Sequence, residues 1–313
     1  MERIPTCKTL TALYVNEKIL LAGPQVVEFI TKDAEYKILI EQCAFRKITI
    51  KSEKEVTAHE LYVRLTRIER LLMLFDGVFF SLAELEFTDS DNTSEAMLRS
   101  YKNNLIAGRL SYFSSADFCR YSIDKLIDFQ TVLTSELFSS WESLLEELDV
   151  VHQMYLYSMS DSKLTKDVKV AFLIELAEPL IEVVKKYTNF YASLKPGEKG
   201  TNLKMCIDAL IMKYGTGIFK TELAGCYDEV LKVMVNSRVR IMHIKREQSR
   251  TCFNGEESLL YISKMSFLYR RVLFEMLNIE ETEYKEQLQK SVEILERCND
   301  IQVKVLNRIT KGS

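Results

Sequence analysis

Through about the first 55 residues, apolar positions fall in short, β-branched and partly alternating stretches. Tyr36-Lys37-Ile38-Leu39-Ile40-Glu41 and Arg46-Lys47-Ile48-Thr49-Ile50-Lys51 have the period of half-buried strands. Ala22-Gly23-Pro24 is a turn signal between the first two strands. From Ala58 the period lengthens. Leu61, Leu65, Ile68, Leu71, Leu72 and Phe75 recur at helical spacing, and Gly77 follows as a stop. One or two further strands are expected in Val78–Phe87, ahead of the polar run from Thr88 to Ser94.

Beyond that run the pattern is almost wholly helical. Ile123–Tyr157 is a long amphipathic stretch that carries the single tryptophan, Trp141, expected in the core. Val168–Tyr191 is a second, with Leu173, Leu176, Leu180 and Val184 on one stripe. Pro179 lies within it and should kink the helix or mark a start, because proline supplies no backbone donor. Leu194–Gly200 reads as a loop, and Thr201–Tyr214, Lys220–Lys245 and Glu256–Leu277 as three more helices. The charged tail Glu280–Ile309 has too few heptads for a coiled coil and reads as an added packing helix. The expected fold class is α+β: a mixed α/β N-terminal domain over residues 1–120, then an all-α bundle over 121–313 with a helical extension.

Composition supports this reading. Ten glycines and four prolines among 313 residues are too few for an all-β chain or for Gly-rich phosphate loops. Lys+Arg 42 against Asp+Glu 45 gives a net charge of −3, so a nucleic-acid partner would have to be met by a local basic patch. Seven cysteines stand singly, with no C-x-x-C, and suggest reduced thiols rather than zinc or a closed disulfide set. No apolar run approaches the ~18–20 residues that span a bilayer, and the N-terminus lacks a signal pattern. A cytoplasmic protein with no membrane partner is expected.

The signatures of zincins, α/β-hydrolases, P-loop NTPases and Rossmann enzymes are all missing, and no cofactor is expected. Histidine occurs only at 59, 152 and 243. His59, at a helix start, reads as exposed, and His152, beside Tyr155 and Tyr157, as a packing residue. His243 differs in its surroundings. Between 236 and 250 the chain holds five cations (Arg238, Arg240, Lys245, Arg246, Arg250) against one acid, Glu247. Cleavage of RNA through its 2′-hydroxyl needs such a pairing. Arginine stabilises charge on the phosphate, and histidine moves a proton near neutral pH, with no metal required.

Spacing constrains this reading. Arg238 and His243 are five apart, roughly 140° around a helix. A shared site needs a helix end, a local distortion, or the same segment from a second protomer across a two-fold axis. Arg240 is three residues from His243 and is a rival for the arginine role. The simpler alternative is a solvated basic helix end that complements the macrodipole.

Arg238-x-x-x-x-His243, near a helix end and flanked by apolar helices, resembles the R-x(4–6)-H motif of HEPN domains. The following helix, Glu256–Met265, leads into Arg271–Ile279, which resembles the last helix of the ApeA-type subfamily of bacterial anti-phage proteins. Phe172–Glu178 resembles that subfamily's second helix, where a glutamate often recurs. The resemblance covers about residues 135–280.

It implies a HEPN helical bundle, usually a homodimer, with paired R-x(4–6)-H motifs forming a metal-independent RNase site at the dimer interface that leaves a 2′,3′-cyclic phosphate. RNA, including tRNA, would be the partner, and abortive phage defence the setting. Arg238 would stabilise the phosphate and His243 act as general acid or base. Asn236, Arg240, Lys245, Arg246 and Glu178 would support the site or bind RNA. The position after the motif arginine is commonly polar and here is Val239. That departure leaves open a non-catalytic HEPN module that binds RNA or protein, and a helical scaffold without nucleic acid is a third reading. Glu175 and Glu178, three apart on one face, read first as solvated charge, the alternative being that they orient a motif residue at the site.

Overall fold

A computed structural model describes residues 4–15, 24–78, 80–107, 125–160, 163–187, 202–243, 250–297 and 306–310. The expected turn at Ala22-Gly23 and the loop at Leu194–Gly200 lie outside these residues.

Five strands form one antiparallel sheet: β1 (Thr6–Val15), β2 (Gln25–Ile30), β3 (Tyr36–Gln42), β4 (Arg46–Thr57) and β5 (Ser81–Thr88). Their order is β2-β3-β4-β1-β5. Register sets one face of the sheet. Val27 opposes Ile40, which opposes Ile48, which opposes Ala12, which opposes Leu85. All five are buried, as period-2 alternation requires of a sheet with one face covered. The region from 78 to 88 supplies one strand, β5, rather than two.

Helix α1 (Ala58–Asp76) packs on this sheet with Leu61, Leu65, Ile68 and Leu72 buried. Its ends are the ones the sequence signals. Thr57 Oγ1 accepts from the Glu60 amide at 3.2 Å while Glu60 Oε2 accepts from the Thr57 amide, a capping box. At the other end Gly77 takes φ 74°, the left-handed conformation that stops helices.

Further helices among the described residues are α2 (Glu95–Ala107), α3 (Phe129–Val132), α4 (Ser135–Met159), α5 (Lys166–Glu175), α6 (Ala177–Val184), α7 (Leu203–Leu210), α8 (Lys220–Gly225), α9 (Tyr227–Met242), α10 (Gly255–Met276) and α11 (Lys285–Arg297), with a helical turn over 306–310. A π-helical turn, Ile211–Gly215, follows α7. Three of the long periodic stretches are thus interrupted: α4 at Asp149 (φ 37°, ψ −114°), α5/α6 at Leu176, and α8/α9 at Cys226. No described helix is long and apolar enough to cross a membrane.

The molecule divides into two compact units, residues 1–117 with 127–143, and 118–126 with 144–313, so the division falls inside α4. The first holds the sheet, α1 and the start of α4. There Trp141 is fully buried and donates to the Arg67 carbonyl at 2.8 Å. The second is helical. Its axis is α10, in which 18 of 22 residues are buried, as expected of a helix surrounded by others.

Candidate active site in the helical unit

Pro179 positions the site's carboxylate. A proline has no N–H to give the carbonyl four residues back, and its ring crowds that carbonyl. Here that residue is Glu175, and α5 ends on it. After a one-residue break α6 begins, so Pro179 sits in its first turn, where an amide would have no helical partner. Glu175 is left at the end of α5, and α5 packs against α9.

From α9, Arg238 meets Glu175 on two nitrogens. Nη2 donates to Oε1 at 2.8 Å and Nε donates to Oε2. The contact is the fork-to-fork arrangement that suits guanidinium and carboxylate. These bonds raise the Arg238 pKa above its ordinary value; burial opposes them, and the charges of Glu175 and Glu178 add to them. Both side chains are partly covered, Arg238 at 20% exposure and Glu175 at 25%.

The third member is His243. Arg238 Nη1 lies 2.9 Å from His243 Nε2. A guanidinium has no acceptor, so Arg238 donates and Nε2 supplies the lone pair, which puts the ring proton on Nδ1. The five-residue separation is bridged at a helix end. His243 caps α9 with φ −104° and ψ 5°, and its amide still bonds the Val239 carbonyl at 3.1 Å. The ring is exposed where the helix stops, and the long Arg238 side chain reaches it from another face.

The other sequence candidates are arranged differently. Asn236 Nδ2 donates to the Thr251 carbonyl at 3.2 Å, and Ser237 Oγ accepts from the Phe253 amide at 2.8 Å. Together they fasten the segment before α10 to α9. Arg240, the rival arginine, is exposed and lies beside the Cys252 thiol, whose pKa is raised by burial and drawn back down by that guanidinium. Arg238, not Arg240, contacts the histidine. Glu178 is half-buried on α6 and acts on Arg238 through its charge. Lys245 and Arg246 lie outside the described residues.

Glu175, read first as solvated charge, instead takes the alternative role of a carboxylate against a motif residue. The signal favouring that role was Pro179 four positions later, which fixes where α5 must end. His152 is buried, 3.0 Å from the Tyr269 hydroxyl and stacked near Tyr155, in the packing role expected of it. His59 is exposed, with the Tyr101 hydroxyl 3.4 Å from Nδ1. Among the described residues no group of three or more His, Cys, Asp or Glu is placed to hold a metal ion.

Compared with protein-family models, with curated proteins and with solved structures, the chain matches none.

Proposed function

We propose that the protein is a HEPN-type, ApeA-like endoribonuclease: metal-independent, cytoplasmic and homodimeric, cleaving RNA, tRNA among its targets, in anti-phage defence. The observation that carries this reading is the Arg238–His243 contact of 2.9 Å at an exposed helix end, with Arg238 held by Glu175.

The chemistry follows from donor and acceptor capacity. A guanidinium has five N–H donors, of which Glu175 and His243 engage three, so two remain for phosphate oxygens. His243 Nε2 carries the lone pair that can take the 2′-hydroxyl proton, with the substrate displacing the Arg238 N–H from it. The 2′-oxygen then forms its bond to phosphorus while the bond from phosphorus to the 5′-oxygen breaks. Water protonates the departing oxygen, leaving a 2′,3′-cyclic phosphate and a 5′-hydroxyl, and the hydroxide that remains takes from His243 the proton it had accepted. Arg238 stabilises the charge on the phosphoryl oxygens as it builds, an electrostatic role that needs a preset geometry.

The test is RNA cleavage in EDTA by the wild type and by His243→Ala, with the product ends assayed for cyclic phosphate. Removing a positioned catalytic group should lower the rate on the order of 10²–10³-fold. Undiminished cleavage by His243→Ala would sink the mechanism. Val239, where a polar residue is usual, favours a second reading, a HEPN module that binds RNA without cutting it. Salt-dependent RNA retention without turnover in any variant would select that reading.

A further inference from the structure

A cleft of about 690 Å³ opens along α9 within the helical unit, bounded by Lys204 of α7, by Arg250 and Thr251, and by Ile309. Its position on α9 is set by helical arithmetic. Lys232, Val235 and Asn236 line it. At about 100° per residue these three, with Val239 and His243, fall within roughly 100° of one another. Val239 and His243 thus continue the same face of α9 beyond the residues that line the cleft. Arg238 lies about 140° away around the helix and reaches His243 from the other side. From Lys232 to His243 this face covers about 16 Å of helix axis.

The cleft is not uniform along its length. At the end far from His243, Lys204 of α7 pairs with Asp228 of α9 at 3.0 Å, so that charge is spent across the mouth. Glu229 adds a further acid there. Exposed Lys232 stands midway along the α9 side, and Asn236, Thr251 and exposed Arg250 line the end toward His243. Val233, Val235 and Ile309 add apolar side chains to the lining. Cations beside the partly exposed apolar side chain of Val235 match a nucleotide unit, with phosphate on the cations and base against the valine.

We infer that this cleft seats the single-stranded RNA segment next to the phosphate held at Arg238 and His243, with Lys232 and Arg250 on its backbone. The inference rests on the ribonuclease reading above for the place of the scissile phosphate. Duplex RNA does not fit the description, because its bases are stacked and paired and cannot turn into a cleft wall.

The experiment uses the full chain carrying His243→Ala, so that binding is read without cleavage. Anisotropy of an end-labelled 12-nucleotide single-stranded RNA is followed from 50 to 200 mM salt. Lys232→Glu in that background should weaken binding on the order of 10-fold and lower the slope of log K against log salt by at least about 0.7. Lys290→Glu, an equal charge change at an exposed site on α11, should alter affinity less than about twofold. Unlabelled duplex of the same sequence should compete poorly.

Equal effects of the two substitutions, equal competition by duplex, or no RNA binding at all would overturn the cleft assignment. Cleavage assays on the single variants separate the two readings. Cleavage that depends on His243, with binding indifferent to Lys232, sinks the cleft and keeps the ribonuclease. Binding that depends on Lys232, with no cleavage by the wild type, sinks the ribonuclease and keeps the cleft.

Discussion

A guanidinium gripped by a carboxylate on Nε and Nη2 has little rotational freedom left, and its outer edge points in one direction. Glu175 gives Arg238 that fixed orientation, and Arg238 in turn offers Nη1 to His243. Glu175 touches neither substrate nor histidine in this scheme, so it is a positioning residue. Glu175→Gln keeps the shape and one acceptor oxygen but loses the charge and presents an amide to a donor. Cleavage should fall on the order of 10- to 100-fold in kcat with KM changed much less, since misorientation penalises the transition state most. Glu178→Gln, which removes charge but no hydrogen bond to Arg238, should leave kcat within about threefold. A Glu175→Gln loss confined to KM, or matched by Glu178→Gln, would remove the positioning role. Arg238 and His243 were legible as a motif. Their contact was not, because a five-residue spacing on a regular helix separates them, and only the helix end and a long side chain close the gap.

Among the helices, the fully buried charges of the second unit set the packing of three elements. Lys264 of α10 and Glu222 of α8 are both at 0% exposure, with Nζ 2.7 and 2.8 Å from the two carboxylate oxygens. Lys264 also reaches Glu296 of α11 at 3.1 Å, and the Tyr261 hydroxyl donates to Glu222. Burial and that neighbouring carboxylate push the Tyr261 pKa well above its ordinary value, so the hydroxyl stays a donor. Lys264→Met takes the lysine's charge from the buried Glu222 carboxylate and should destabilise the protein by about 3–5 kcal/mol in denaturant unfolding. The double change Lys264→Met with Glu222→Leu should recover part of that loss, because it removes the buried charge but takes the acceptor from the Tyr261 hydroxyl. A double variant as unstable as the single one would contradict the account. The period of the sequence shows that α10 is a helix, but not that its lysine is inside, since a buried charge depends on partners brought from residues 222 and 296. The helix breaks divide the same way. Gly77 and Thr57 announce the ends of α1 locally, and Pro179 announces the break after Glu175. Asp149 and Cys226 interrupt stretches whose apolar period continues through them, so those breaks were not readable.

For the molecule as a whole, the question is how many chains one site needs. A five-residue spacing left open an arginine from one protomer meeting a histidine from its partner. The 2.9 Å contact lies within one chain, and Glu175, the group that orients the arginine, belongs to the same helical unit. In the proposed homodimer each protomer then carries its own Arg238–His243 pair, and the two-fold axis duplicates sites rather than completing them. Mixing inactive variants tests this directly. Arg238→Ala and His243→Ala chains, unfolded together and refolded so that subunits exchange, yield heterodimers in which no chain holds both residues. If the pair works within a chain, the mixture should cleave RNA no faster than the separate variants. If the pair works across the interface, the heterodimer regains one intact site, formed by the arginine of one chain and the histidine of the other. Activity should then rise toward about a quarter of the wild-type rate, because random pairing makes half the dimers mixed and each has one site of two. Size-exclusion chromatography of the refolded mixture, with one variant carrying a size tag, verifies that exchange took place before the rates are compared. Recovery of cleavage would overturn the single-chain site and make the 2.9 Å contact a resting arrangement, released when the partner's histidine arrives.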